Sequence, residues 1–454
     1  MTNRILLSLQ NGWAVRNIFY TGIADQLAQT CEVVILVPQY FHARILGKVR
    51  TKNIIVEAIE ARAEPTNWRL LRQLRKKVFL EVTHNETEKI KMRAESRKVY
   101  QRIGGVIVHN ICKLTKGANL ISITEAIDFS VNKDTLFASL LEKYHPGLVV
   151  GNSPFVYTEE SLMRASMKAG IPCICFVPSW DNVSKGIINQ RFQRVLVWNE
   201  VLRDEILGGY PNYHHEKVKV VGVPQFDIYN LPPAIEYAAW CRQFGLNPAH
   251  RTILYSTEPQ VRFSYDPVIV ERILEGIKSG RLPEDVQVLI RCHPFDDAGR
   301  YKHLLGKYNV GIFSSSRDPG EFDIQWLPPQ DELSRLRDCL VFSSLNINVA
   351  STMSIDTAAC GKPIVNIAFD GDAILPYERS SRRIYDYAHY KRVVATGAVR
   401  VCSSYDELFQ GIIDYLNNPQ LDADKRSALV DMMCTFKDGK SAQRCVTELL
   451  NCIE

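Results

Sequence analysis

Short apolar runs alternate with longer amphipathic stretches along most of the chain, the pattern of strand, helix, strand units built on parallel sheets. Runs at Arg4 to Leu9, Val33 to Val37, Leu148 to Val150, Pro172 to Val177, Arg194 to Trp198 and Val218 to Val221 predict the strands of a first domain. Helices are predicted between them at about Arg16 to Thr30, Asp134 to Lys143, Thr158 to Ala169 and Glu200 to Leu207. A helical pattern from Thr66 to Leu114, broken near Asn85 and Gly104, reads as an insertion. Leu231 to Pro233 reads as a linker, and a second series follows. Its predicted strands are Thr252 to Ser256, Val286 to Arg291, Gly311 to Phe313, Leu340 to Ser343, Pro363 to Phe369 and Val399 to Cys402, separated by helices at about Val268 to Ser279, Arg300 to Lys307, Gln330 to Arg337 and Ser351 to Cys360. Tyr405 to Leu416 and one long helix from Lys425 to Leu450 close the chain, the last long enough to cross back over the first domain. The expected fold class is therefore α/β, with two doubly wound Rossmann-like domains facing across a cleft. They are residues 1–230, with the helical insertion at about 66–116, and residues 231–454.

Composition narrows this picture. A chain of 454 residues is too long for one ordinary core, and 46% hydrophobic with 23% charged residues is a globular balance. The net charge of +5 gives no reason to expect a nucleic-acid partner. Charge is uneven, however: Arg69 to Lys116 carries many more basic than acidic residues, among them Arg72, Arg75, Lys76 and Lys77. Such a stretch can lie on an anionic membrane, receive an acidic substrate, or simply be a solvated helix face. The 12 cysteines form no CxxC pair, which points to thiols of a reduced compartment instead of a disulfide frame or zinc site. No apolar run approaches the length of a spanning helix. The expectation is a cytoplasmic protein, with peripheral contact on the inner face of a membrane through Arg69 to Lys116.

Candidate chemistry gathers where the predicted strands end, since open α/β sheets bind ligands outside the carboxyl ends of their strands. Between Leu340 and Asp370 the pattern reads strand, polar turn, helix and strand, with the helix entered at Ser351 and Thr352 and closed by Gly361 and Pro363. Ser351 and Thr352 either cap the helix only or also hold a diphosphate. Asp356 complements the helix dipole or meets a ribose or sugar hydroxyl. In Ile290 to Pro294, Arg291 and His293 alternate with Ile290 and Cys292. A guanidinium beside an imidazole suits a phosphate or a departing anion, a structural ion pair being the alternative. In Ser179 to Gly186, Asp181 is the best-placed carboxylate for a general base and Lys185 can meet a phosphate or acidic acceptor. Asp181 and Asn182 could equally make an Asx turn. The loop after the first strand brings Asn11 and Arg16 to the functional edge, as contacts for an acceptor or a phosphate. Val221 to Tyr229 reads mainly as a structural crossover.

Several runs carry a family resemblance: RCHP at 291–294, LPPQDEL at 327–333, STMSIDTAACGKP at 351–363 and SSYDEL at 403–408, with SWDN at 179–182 and GVPQFD at 222–227 as weaker matches. The chain resembles the GT-B glycosyltransferases, and within them bacterial surface-polysaccharide enzymes related to the glycerophosphate and Kdo transferases. The resemblance implies metal-independent transfer of a sugar from a nucleotide-sugar to a surface glycan or lipid-linked acceptor, with the nucleotide-sugar as substrate and no cofactor. It places the donor on the second domain, with His293 near the donor phosphates and Ser351 and Thr352 at the diphosphate-binding helix start. Asp356 stands where many members have a glutamate for the ribose. The base belongs to the first domain, and Asp181 is its candidate. The alternatives are a transferase of glycerol phosphate or ribitol phosphate from a CDP donor, a nucleotide-sugar epimerase, and a silent glycan-binding subunit.

Overall fold

A computed structural model of the chain describes residues 4–60, 63–95, 110, 112, 117–132, 135–183, 187–189, 191–314 and 325–453. The chain forms two compact units, Met1–Asp227 together with Cys434–Glu454, and Ile228–Met433.

The first unit is built on seven strands: β1 (Arg4–Ser8), β2 (Glu32–Pro38), β3 (Ile54–Ile59), β4 (Leu148–Gly151), β5 (Cys173–Phe176), β6 (Arg194–Val197) and β7 (Val218–Val220). All pairs are parallel, in the order β3-β2-β1-β4-β5-β6-β7, so the winding reverses between β1 and β4. Ile5, Leu6 and Leu7 lie between Val33 to Ile35 of β2 and Leu148 to Val150 of β4, all buried. Strands covered on both faces read as unbroken apolar runs. The additional strand β3 sits at the sheet edge and is only half buried, which is why its pattern was weak. The helix predicted from Arg16 to Thr30 is divided into Gly12–Ala14, a π-helical turn at Val15–Phe19 and Ile23–Leu27, with Gly22 at φ 78° between the last two.

Helices Thr66–Val82 and Gly117–Val131 pack antiparallel, with Asn67 Nδ2 donating to Asn132 Oδ1 at 3.2 Å and Arg75 reaching Asp128 at 2.8 Å. Part of the basic stretch is therefore consumed inside the unit. Arg75 is buried among Asp128, Glu160 and Glu125, Arg72 pairs with Glu64, and Lys76 pairs with Glu88. The remainder of that stretch, 96–109, 111 and 113–116, lies outside the described residues.

The second unit has six parallel strands: β8 (Arg251–Ser256), β9 (Val286–Cys292), β10 (Val310–Ser314), β11 (Leu345–Asn348), β12 (Ile364–Ile367) and β13 (Arg400–Cys402), in the order β10-β9-β8-β11-β12-β13. Alternate residues fill a core on each face: Ile253, Tyr255, Val288 and Ile290 on one, Leu254, Leu289, Trp240 and Phe313 on the other. The predicted strand Leu340 to Ser343 is instead the end of helix Glu332–Phe342, whose Leu333, Leu336 and Leu340 are buried at helical spacing. The strand follows at Leu345–Asn348. The long terminal helix is two helices, Ala423–Cys434 and Ser441–Leu450, separated by Thr435 at φ 61° and Gly439 at φ 68°. Residues 434–454 group with the first unit, not with the second as the predicted boundary had them. There Asp227 accepts the Ser441 and Ala442 N–H groups at 3.0 and 2.8 Å, and Ala442, Cys445, Val446 and Leu449 are buried.

Candidate functional site

In the second unit the winding reverses between β8 and β11, so Thr257 and Glu258 on one side and Val349 to Thr352 on the other flank the usual ligand crevice. A buried polar chain runs beneath it. Asn346 Nδ2 donates to Ser256 Oγ at 2.8 Å and Asn348 Nδ2 to Asn346 Oδ1 at 2.7 Å, while Asn348 Oδ1 accepts Ser354 Oγ at 3.1 Å and Ser351 Oγ at 3.3 Å. Tyr390 OH closes it onto Asn366 Oδ1 at 2.7 Å. The Ser351 hydroxyl is thus aimed by a network satisfied at every step shown.

The neighbouring strand end carries His293. Its backbone N–H donates to Thr257 Oγ1 at 3.0 Å, and Thr257 Oγ1 donates in turn to Asp296 Oδ2 at 2.7 Å, an oxygen that Tyr301 OH also reaches at 2.7 Å. Phe295 N–H donates to His293 Nδ1 at 3.0 Å. An imidazole whose Nδ1 accepts carries its proton on Nε2, and the ring stays partly accessible. The preceding loop is fixed by Asp266, which accepts Tyr255 OH at 2.8 Å and Glu258 N–H at 3.0 Å; burial pushes its carboxyl well above the usual range.

Three of the sequence-derived candidates in this unit are engaged by contacts within it. Arg291 is not presented to a phosphate: both it and Glu332 are buried, and they pair at 3.0 Å. Asp356 is buried and accepts Tyr229 OH at 2.5 Å, which ties the segment entering the unit to the helix. Helix Met353–Ala359 has only seven residues, and its entry does not offer a row of open N–H groups. Thr352 makes no side-chain cap, Ser351 Oγ accepts Met353 N–H at 3.3 Å, and Tyr385 OH accepts Ala350 N–H at 3.2 Å.

In the first unit the winding reverses between β1 and β4. Asn11 Oδ1 caps Ala14 N–H at 2.9 Å and Asn11 Nδ2 donates to Ser153 Oγ at 2.8 Å, so this side chain sews two strand ends together. Glu159, which no motif singles out, accepts Ser153 N–H at 2.5 Å and Asn152 N–H at 3.2 Å. Burial pushes its carboxyl up to about 7 despite those bonds. Arg16 stacks on Trp13 at 4.7 Å and donates Nε to Asn17 Oδ1 at 3.1 Å; Asn17 Nδ2 donates to Pro178 O at 3.4 Å. Arg16 is therefore connected to the loop that carries Asp181. Asp181 is half buried in a turn closed by Asn182 N–H to Ser179 O at 3.2 Å. Lys185 lies outside the described residues. Among the described residues, no group of three or more His, Cys, Asp and Glu side chains is placed to hold a metal ion, and no helix is long and apolar enough to cross a membrane.

Two Rossmann-like units of this winding define the GT-B fold, and solved structures share it over their whole length. The UDP-GlcNAc 2-epimerase of Neisseria meningitidis, bound to UDP-GlcNAc, is 14% identical, with 99% of this chain and 100% of that one covered and a TM-score of 0.52. The UDP-GlcNAc 2-epimerase of Methanocaldococcus jannaschii, in complex with UDP-GlcNAc and UDP, is 13% identical, with 99% of each chain covered and a TM-score of 0.52. The calicheamicin glycosyltransferase CalG4 is 11% identical, with 100% and 98% covered and a TM-score of 0.51. The chain belongs to the CDP-glycerol:poly(glycerophosphate) glycerophosphotransferase family, whose profile matches residues 189–451. It is thus a GT-B-fold protein of a transferase family. A search of curated proteins returns no significant match.

Proposed function

We propose that this chain transfers a polyol phosphate, of the glycerol phosphate class, from a CDP-linked donor to a hydroxyl of an acceptor polymer. The observation that carries this reading is the family profile, which spans the strand ends holding His293, Ser351 and Thr352. The acceptor oxygen attacks the donor's polyol-bearing phosphorus, the bond to the other phosphate breaks, and CMP departs. His293 Nε2–H stabilises the leaving phosphate, the Ser351 and Thr352 hydroxyls hold the donor phosphates, and the acceptor proton passes to a general base. His293 fits its role because Nδ1 accepts Phe295 N–H, which leaves the ring proton on Nε2.

A second reading is the transfer of a sugar from a nucleotide-sugar to a surface glycan or lipid-linked acceptor, without a metal. It is supported by the likeness to CalG4 and to the epimerases solved with UDP-GlcNAc. The attack would then fall on carbon, and a nucleoside diphosphate would leave. An acceptor met at the cytoplasmic face of a membrane is consistent with the exposed Arg69 and Lys89 of the basic stretch, and co-sedimentation with anionic vesicles tests that contact.

Thermal shift with CDP-glycerol, CMP, UDP-GlcNAc and UDP tests the donor class. A ligand at a hundredfold excess over its Kd adds about 2.7 kcal/mol of stability. Stabilisation by the cytidine compounds, weakened in Ser351→Ala, is expected. A response to the uridine compounds alone would replace this reading with the second.

A further inference from the structure

Arginines of the second unit are commonly matched with carboxylates: Arg251 with Asp285 at 2.7 Å, Arg337 with Asp338 at 2.7 Å, Arg291 with Glu332 at 3.0 Å. The loop leaving β12 is different. Among the described residues, none of Arg379, Arg382 and Arg383 has a carboxylate partner, although the loop contains acids. Three of those acids are committed elsewhere, Asp370 accepting Ser381 N–H at 2.9 Å, Asp372 pairing with Arg272 at 3.3 Å and Asp386 accepting Tyr377 OH at 2.6 Å, while the fourth, exposed Glu378, pairs with none of the three arginines.

Two of the arginines share Ser380 as acceptor. Arg382 Nε donates to Ser380 Oγ at 3.2 Å, and Arg383 Nη1 donates to Ser380 O at 2.9 Å. Like charges gathered on one serine repel one another, and an anion seated between them would relieve that repulsion. Their base is firm, because Ser380 and Ser381 are buried and Ser381 Oγ donates to Phe369 O at 3.2 Å. It is also attached to the candidate site: two residues beyond Arg383, Tyr385 OH donates to Ile367 O at 2.7 Å and accepts Ala350 N–H, next to Ser351. Arg382 Nη2 also donates to Leu375 O at 3.2 Å and Arg383 Nε is buried, but among the described residues Arg382 Nη1 and Arg383 Nη2 make no hydrogen bond.

We propose that Arg379, Arg382 and Arg383 form a subsite for a phosphate ester of the substrate, with Arg382 and Arg383 as the fork and Arg379 as an outer cation. The inference rests on the phosphotransfer reading above. The phosphate is either the donor's or one of the phosphodiesters of the acceptor chain, since the recognising chemistry is the same.

Binding isotherms of the full chain with CDP-glycerol, and separately with a glycerophosphate oligomer, test it in wild type, Arg382→Gln/Arg383→Gln and Arg382→Lys/Arg383→Lys. Losing two charge-assisted contacts should weaken the bound ligand by roughly tenfold or more and flatten its salt dependence, with the lysine pair retaining part of the affinity. A loss confined to CDP-glycerol identifies the donor phosphate, and one confined to the oligomer identifies the acceptor. Unchanged binding of both by a glutamine pair with the wild-type melting temperature overturns the subsite. Should that pair fail to fold, exposed Arg379→Gln gives the same reading. A wild type that binds neither ligand defeats the phosphotransfer reading instead. Inorganic pyrophosphate is then the probe, and its binding must be lost in the glutamine pair for the subsite to stand.

Discussion

A guanidinium two residues from a histidine at a strand end suits a phosphate, yet Arg291 faces Glu332 inside the unit, where neither charge can be left alone. Arg291→Met should cost about 3–5 kcal/mol by stranding the buried carboxylate, and Arg291→Met/Glu332→Leu should recover most of it, both read by urea denaturation. A single variant that keeps its stability but loses donor binding would return Arg291 to the ligand. His293 was legible because its strand end and its Pro294 neighbour are local features; the partner of Arg291 lies on a helix that sequence spacing does not bring near it. Glu160 was equally hidden. Burial pushes its carboxyl up to about 7 against the attraction of Arg75 and Arg164, with Asp128 beside it adding to the rise. An acid whose folded value exceeds its unfolded value of 4.5 binds its proton more tightly in the fold, so stability falls as pH rises from about 4.5 to about 7 and is flat above. Glu160→Gln removes that cost. Its stability relative to wild type should increase across this window by up to about 3 kcal/mol, followed by melting temperature against pH. A pH-independent difference would contradict the assignment.

Strand β11 explains the main error in reading elements. Its Asn346 and Asn348 look like loop residues, while Leu340, Val341 and Phe342 just before it look like a strand. The two asparagines are buried only because Ser256, Ser354 and Asn366 supply their hydrogen bonds, and two of those partners, Ser256 and Asn366, come from distant segments. Where strands are uniformly apolar, as in β1, β2 and β9, periodicity alone located them to within a residue or so. The first switch point shows a tighter local constraint. A Cβ at Gly151 would lie 2.5 Å from Glu159 Oε1 and 2.6 Å from Met163 Cε. Gly151→Ala must therefore push the Glu159 carboxylate away from the Asn152 and Ser153 N–H groups. A loss of about 1–3 kcal/mol is expected in denaturant titration, and an unchanged midpoint would show that the helix carrying Glu159 can shift freely.

At the level of the whole chain, the alternation of strands and helices was enough to give two doubly wound units, because each βαβ step is fixed by local pattern and handedness. The return of residues 434–454 to the first unit was not legible in full: the apolar positions of the last helix were visible, but its break at Thr435 and Gly439 was not. Leu449, fully buried in the first unit, should cost about 2–5 kcal/mol when changed to Ala. Calorimetry should assign that loss to the first unit's transition, leaving the melting of Ile228–Met433 in place. A fall confined to the other transition would contradict the grouping. The central claim is transfer at phosphorus, and the most direct test is the nucleotide released when the chain turns over CDP-glycerol with an acceptor polymer. The account predicts CMP in equal amount to polymer-bound glycerol phosphate, and a fall of roughly a hundredfold or more in His293→Gln. Release of a nucleoside diphosphate from a nucleotide-sugar, with CDP-glycerol left intact, would contradict it.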